Sequence, residues 1–101
     1  MQNITPEEVK ERLDKGEQLN LLDVREPHER AEFNIGGIHI PLGQLMMQAD
    51  ELENLKNQEV IVYCRSGNRS GQGAMILDTM GFTNTKNLSG GMLSWQSKFG
   101  Q

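Results

Sequence analysis

The sequence predicts an α/β domain built on a largely parallel sheet, and three observations carry that reading. Strand-like stretches at Leu19–Val24, Ile38–Ile40, Glu59–Tyr63 and Phe82–Leu88 alternate with segments of helical spacing. The first and third are nearly continuous apolar runs, the profile of strands covered on both faces. Glycine or proline closes most segments, at Gly16, Gly36-Gly37, Pro41, Gly81 and Gly90-Gly91.

Each element has a local cause. Thr5-Pro6-Glu7-Glu8 is a capping box: the Thr5 hydroxyl accepts from the Glu8 amide, and Pro6 sits in the first turn, where its missing N–H costs nothing. The helix it opens runs to about Lys15, with Val9 and Leu13 as its buried stripe and Gly16 as its left-handed stop. Leu19–Val24 is a buried strand ended by Arg25-Glu26-Pro27, and a short helix follows from Pro27 to about Phe33. Ile38–Ile40 is a brief strand halted by Pro41. Asp50–Leu55 has helical composition. Glu59–Tyr63 is the clearest strand signal and the expected centre of the sheet. A helix begins near Arg69 or Ser70 and runs to Met80; Gly71 and Gly73 in its first turns each cost about 1 kcal/mol unless another group approaches closely. A weak strand over Phe82–Leu88 and a C-terminal helix after Gly90-Gly91 complete the chain.

Length and composition bound the function. The chain has 101 residues, 36% hydrophobic and 24% charged, the balance of one globular domain spanning 1–101. Surface scaling at this size leaves roughly 5,800 Å² exposed, enough for one modest core. A net charge of -4 argues against nucleic acid or an anionic membrane as partner, so any anion site must be local. The longest uninterrupted apolar run, Val60–Cys64, is far below the roughly 20 residues of a membrane span. The start lacks a basic region and an apolar stretch, so a cytoplasmic location is expected. One cysteine, Cys64, excludes an intramolecular disulfide, a CxxC pair and a multi-cysteine zinc site.

Cys64 is the first residue past the carboxyl end of the best strand, where parallel sheets bind ligands. A lone cysteine there is ordinarily a small buried hydrophobe, but its neighbours reverse the odds. Arg65 and Arg69 place two cations within five residues of it in an otherwise acidic chain. The following helix offers its positive dipole end, and Gly67 lets the loop backbone curl so that successive N–H groups converge on one anion. Such surroundings depress a thiol pKa and favour attack on phosphorus or on sulfur. Loop length decides between them. Cysteine phosphatases set five residues between the cysteine and the clamping arginine; here four, Arg65 to Asn68, separate Cys64 from Arg69. The tighter ring fits one extra sulfur held as a persulfide. This reading requires a negatively charged sulfur ringed by peptide hydrogens, and not one sealed among apolar side chains.

These residues, together with four other blocks, resemble the rhodanese family. The matching blocks are Leu22-Asp23-Val24-Arg25-Glu26-Pro27, Gly36-Gly37-Ile38-His39-Ile40-Pro41, Val60 through Ser70, Gly81-Phe82, and Leu88-Ser89-Gly90-Gly91 with Trp95. The resemblance implies a rhodanese-like fold with a central parallel five-stranded sheet flanked by helices. It further implies a sulfurtransferase in which Cys64 is the persulfide-forming nucleophile and Arg65, Ser66, Gly67, Asn68, Arg69 and Ser70 bind the donor. The donor would be a small sulfur-containing anion such as thiosulfate, the acceptor cyanide or a thiol, with a thioredoxin-like protein among the candidates, and no metal or organic cofactor is expected. A persulfide carrier or partner-docking module with little turnover of small donors is the rival reading. The run Phe33-Asn34-Ile35-Gly36-Gly37 is one residue shorter than the Gly-His-Ile-Pro-Gly-Ala run common in the family, which bears on the entry to the second strand; the loop lacks lysine, which bears on the preferred donor rather than on the persulfide step.

Other conspicuous residues take structural readings. Asp23 and Arg25 form an ion pair fixing a strand end. His28 and His39 are surface or turn residues, since a thiolate attacking sulfur needs no base. The six methionines fill core and pack loops. Trp95 anchors the core, and Glu7, Glu8, Glu11 and the acids of 50–53 are solvated helix faces.

Overall fold

A computed structural model describes residues 1–100. Five parallel strands make one sheet in the order β1-β5-β4-β2-β3, with β1 at Gln2–Ile4, β2 at Leu21–Asp23, β3 at Ile38–His39, β4 at Glu59–Tyr63 and β5 at Asn84–Leu88. β4 is central, as its uninterrupted apolar run requires. Its alternate side chains enter two cores. Val60, Val62 and Cys64 face α3 (Leu45–Gln48) and α4 (Asn68–Thr79), packing with Leu45, Leu52, Ala74 and Leu77. Ile61 and Tyr63 face α1 (Pro6–Asp14) and α5 (Gly91–Phe99), packing with Val9, Met92 and Trp95. α2 (Pro27–Glu32) buries none of its residues and lies beyond the carboxyl end of β2.

The capping box at Thr5 forms as expected, with the Glu8 amide donating to the Thr5 hydroxyl at 3.1 Å, and Gly16 takes φ +86° after the helix. Gly73 is justified by proximity: a Cβ there would touch Leu45, Val24 and Val62 at 3.4–3.5 Å, so its absence lets α4 lie close on the sheet.

Several expectations need correction. β1 was not foreseen: Gln2-Asn3-Ile4 has no periodicity of its own, and pairing with Lys86–Leu88 of β5 makes it a strand. The stretch expected to be helical over 50–55 is a 3-10 helix, Ala49–Leu55, preceded by an unpredicted 3-10 turn at Leu42–Gln44 and by α3. α4 begins at Asn68, one residue before the expected limit, and β5 is shorter than foreseen, its first residue Asn84. Met46, Met47 and Met75 are exposed rather than core-filling. His39 lies on edge strand β3, half-buried, its Nε2 2.7 Å from the Arg25 carbonyl oxygen. Trp95 is a core anchor, packed edge-on against Phe99 at 5.0 Å between ring centroids. Among the described residues, no helix is long and apolar enough to cross a membrane.

Candidate active site

The chain leaves β4 at Tyr63, turns through residues 64–67 and enters α4. Gly67 makes the turn possible. Its φ of +102° is accessible to glycine, and a Cβ there would lie 3.3 Å from the Gly90 nitrogen. That turn aims two amides at one sulfur: Gly67 N–H donates to Cys64 Sγ at 3.1 Å and Ser70 N–H at 3.3 Å. The Ser70 hydroxyl lies 3.3 Å from the same sulfur. Burial pushes the Cys64 thiol up, but the Ser70 hydroxyl and the amides of Ser70, Gly67 and Ser66 outweigh it and hold the thiol below its ordinary value. The expected ring of peptide hydrogens is therefore present, and hydrogen bonds rather than the arginines build it.

The second half of the requirement is not met: the expectation that the sulfur is not sealed among apolar side chains is overturned. Cys64 has no solvent-accessible surface, and its sulfur adjoins a core containing Val24, Ile40 and Leu45. Its neighbours in the loop, Arg65, Ser66 and Asn68, are exposed.

The two arginines, both expected to bind the donor, are separated by their partners. Arg69 is engaged by Glu29 of α2 in a bidentate pair, both N–H···O distances 2.7 Å. Arg69 in turn draws the Glu29 carboxyl down to about 2, against the opposing effect of burial and with help from the Glu26 amide at 3.0 Å. Arg65 is exposed, makes no ion pair among the described residues, and lines a cavity of about 130 Å³ with Glu29, Glu32, Phe33, Met92 and Leu93. The local positive charge is thus carried chiefly by Arg65.

Asp23 and Arg25 form the expected buried pair. Asp23 accepts from the Arg25 amide at 3.0 Å and from the guanidinium at 2.9 Å twice, and Arg25 donates onward to the Phe33 carbonyl at 2.7 Å. The pair ties the end of β2 to α2 and so fixes where Glu29 stands.

Two participants escaped sequence reasoning. Glu29 carries no signal beyond helical composition. Asn87 is nearly buried near the carboxyl end of β5; it accepts from the Ser70 hydroxyl at 2.5 Å and donates to the Gly67 carbonyl at 3.1 Å. A polar residue near the carboxyl end of a parallel strand, just before Ser89-Gly90-Gly91, was the available clue. Gly91 closes the site from behind, letting Met92 N–H and Leu93 N–H donate to the carbonyls of Cys64 and Arg65, each at 2.9 Å.

The fold that carries this turn, a five-stranded parallel sheet flanked by helices, has counterparts among known proteins. The family model for the rhodanese-like domain matches residues 5–98. The chain belongs to the rhodanese family. Among its relatives, YrkF of Bacillus subtilis, named for a sulfur carrier, is 40% identical over 96 residues, covering 94% of this chain and 51% of YrkF. YtwF of the same organism, named for a sulfurtransferase, is 36% identical over 99 residues, covering 97% of this chain and 93% of YtwF. This rhodanese domain thus spans about half the length of one relative and nearly all of the other. The crystal structure of a rhodanese-like domain protein from Staphylococcus aureus superposes with a TM-score of 0.80 at 29% identity, covering 94% of this chain and 91% of that one.

Proposed function

We propose that this chain is a sulfurtransferase that carries a sulfane sulfur as a persulfide on Cys64. The observation that carries the reading is the convergence of the Gly67 and Ser70 amides on Sγ at the carboxyl end of the central strand. In the first half-reaction the Cys64 thiolate attacks the outer sulfur of a donor such as thiosulfate. The new Sγ–S bond forms as the donor's S–S bond breaks, and its electron pair leaves with sulfite. In the second, cyanide or a thiol attacks the terminal sulfur, and the Sγ–S electron pair returns to Cys64 as thiolate. A weakly basic leaving group favours the first half. Arg65 and Arg69 are the donor-binding cations, with Arg69 able to contribute only what Glu29 leaves unneutralised, and Ser66, Gly67, Asn68 and Ser70 complete the cradle.

A carrier that takes its sulfur from another protein is the second reading. It is favoured by the covered sulfur and by the carboxylate already seated on Arg69, both of which weaken a small-anion site. A thiol protein such as a thioredoxin-like one would then be the acceptor.

The test is intact mass spectrometry after incubation with thiosulfate, then with a protein persulfide donor, followed by cyanide. One added sulfur on the wild type, none on Cys64→Ser, and thiocyanate release on adding cyanide are expected. Loading by the protein donor alone selects the carrier; loading by neither donor overturns the persulfide reading.

A further inference from the structure

The hydrogen-bond network beneath Cys64 has one proton too few to satisfy both of its acceptors. The Gly67 carbonyl can only accept, so the Asn87 group facing it at 3.1 Å is the amide nitrogen. That orientation turns Asn87 Oδ1 toward Ser70 Oγ at 2.5 Å, and Oδ1 too can only accept. The single hydroxyl proton of Ser70 is therefore committed to Asn87, and Ser70 presents a lone pair to Cys64 Sγ at 3.3 Å. A protonated sulfur suits that lone pair; a thiolate gains the Ser70 hydroxyl as a donor, the contact that helps hold the thiol down, only when its proton turns away from Asn87.

We propose that Asn87 is a positioning residue that governs ionisation of Cys64 by competing for the Ser70 hydroxyl proton. In the thiol form the chain runs from Cys64 S–H to Ser70 Oγ and from Ser70 O–H to Asn87 Oδ1. On ionisation the sulfur's proton passes to a base from solvent, and the Ser70 hydroxyl turns from Asn87 to the thiolate. The turn leaves a buried amide oxygen without its donor, which opposes ionisation. Ser70 is thus a two-position switch, and Asn87 sets its bias. The charged groups around the network are Arg65 on the loop, Arg69 in the first turn of α4, Glu29 on α2 and Glu26 at its N-cap, and the Asp23–Arg25 pair at the end of β2 with Arg30 of α2 beside it; α5 faces it with Met92 and backbone groups, and α3 with Leu45.

The proposal concerns protonation and stands whether or not the sulfur accepts a sulfane atom, so the pH dependence of Cys64 alkylation by iodoacetamide reads it separately from turnover. Asn87→Leu releases the Ser70 proton, and its thiol is expected to titrate lower, with about tenfold more thiolate at a given pH below the midpoint, a shift of about one unit. In a Ser70→Ala background the same substitution should move the midpoint little. If Asn87 merely braced the loop, its loss would slacken the Gly67 and Ser70 amides and raise the thiol; a rise, no change, or an equal drop without Ser70 overturns the proposal. Should Asn87→Leu not fold, the infrared S–H band of the wild type and of Ser70→Ala, both below the midpoint, decides. A band shifted by hydrogen bonding in the wild type and relaxed in Ser70→Ala supports the proposal, and identical bands overturn it.

Discussion

Replacing Glu29 by glutamine separates the charge of the pair across the loop from its shape. Arg69 holds the Glu29 carboxyl at about 2, against an ordinary 4.5. At 1.36 kcal/mol per unit, that difference sets a ceiling of about 3.4 kcal/mol on the pair's contribution to folding. Arg69 is 33% exposed, so solvent screening reduces the figure to about 1–2 kcal/mol. The sign follows from a depressed carboxylate: the stabilisation is fully present above about pH 4.5 and is lost as pH falls toward 2. Glu29→Gln should therefore unfold on the order of 5–10 °C lower at neutral pH. The gap to wild type should close on acidification, followed by circular dichroism melts at stepped pH. In the sulfur assay the same variant leaves Arg69 unneutralised, and KM for thiosulfate should fall several-fold with kcat little changed. A neutral-pH melting difference within error, or a gap that persists undiminished at low pH, refutes the electrostatic reasoning. An unchanged KM refutes the competition between Glu29 and a donor anion.

Two further substitutions probe how the site is held. Gly91→Ala sets a Cβ against the Cys64 carbonyl oxygen and 2.6 Å from the Arg65 carbonyl carbon, at φ +56°. The left-handed penalty and two weakened amide bonds to the loop predict a loss of about 3–4 kcal/mol in urea unfolding and faster alkylation of Cys64; less than about 1 kcal/mol would show that the contact is soft. Asp23→Ala leaves the Arg25 guanidinium buried without its carboxylate and should cost about 3–5 kcal/mol, while the double change Asp23→Leu with Arg25→Met should recover most of it, as a double-mutant cycle measures.

The elements nearest the cysteine were legible because their causes are local. A run of five residues rich in β-branched side chains made β4, glycine permitted the turn at 67, and the helix followed at once, so Cys64 and its amide ring could be placed from adjacent residues. Glycine spacing in α4 pointed correctly to a close approach, which Gly73 makes against the sheet. β1 and the mixed helical stretch between β3 and β4 were not legible: three residues acquire strand geometry only from the neighbour that pairs with them. The exposed Met46 and Met47 likewise defied composition, since apolarity alone does not say which face of a short helix is covered.

By itself the sequence determined the local frame of the site: one thiol, a short loop of four intervening residues, and a strand and helix to deliver backbone hydrogens to that sulfur. Tertiary structure alone decided how strongly the chemistry is restrained. Glu29 is forty positions from Arg69 and Asn87 seventeen from Ser70, separations that no local pattern spans. Folding brings a carboxylate to one arginine, an amide oxygen to the serine's only proton, and an apolar core against the buried sulfur. Partners chosen by packing, rather than by spacing, govern which charges and protons remain available at the reacting atom.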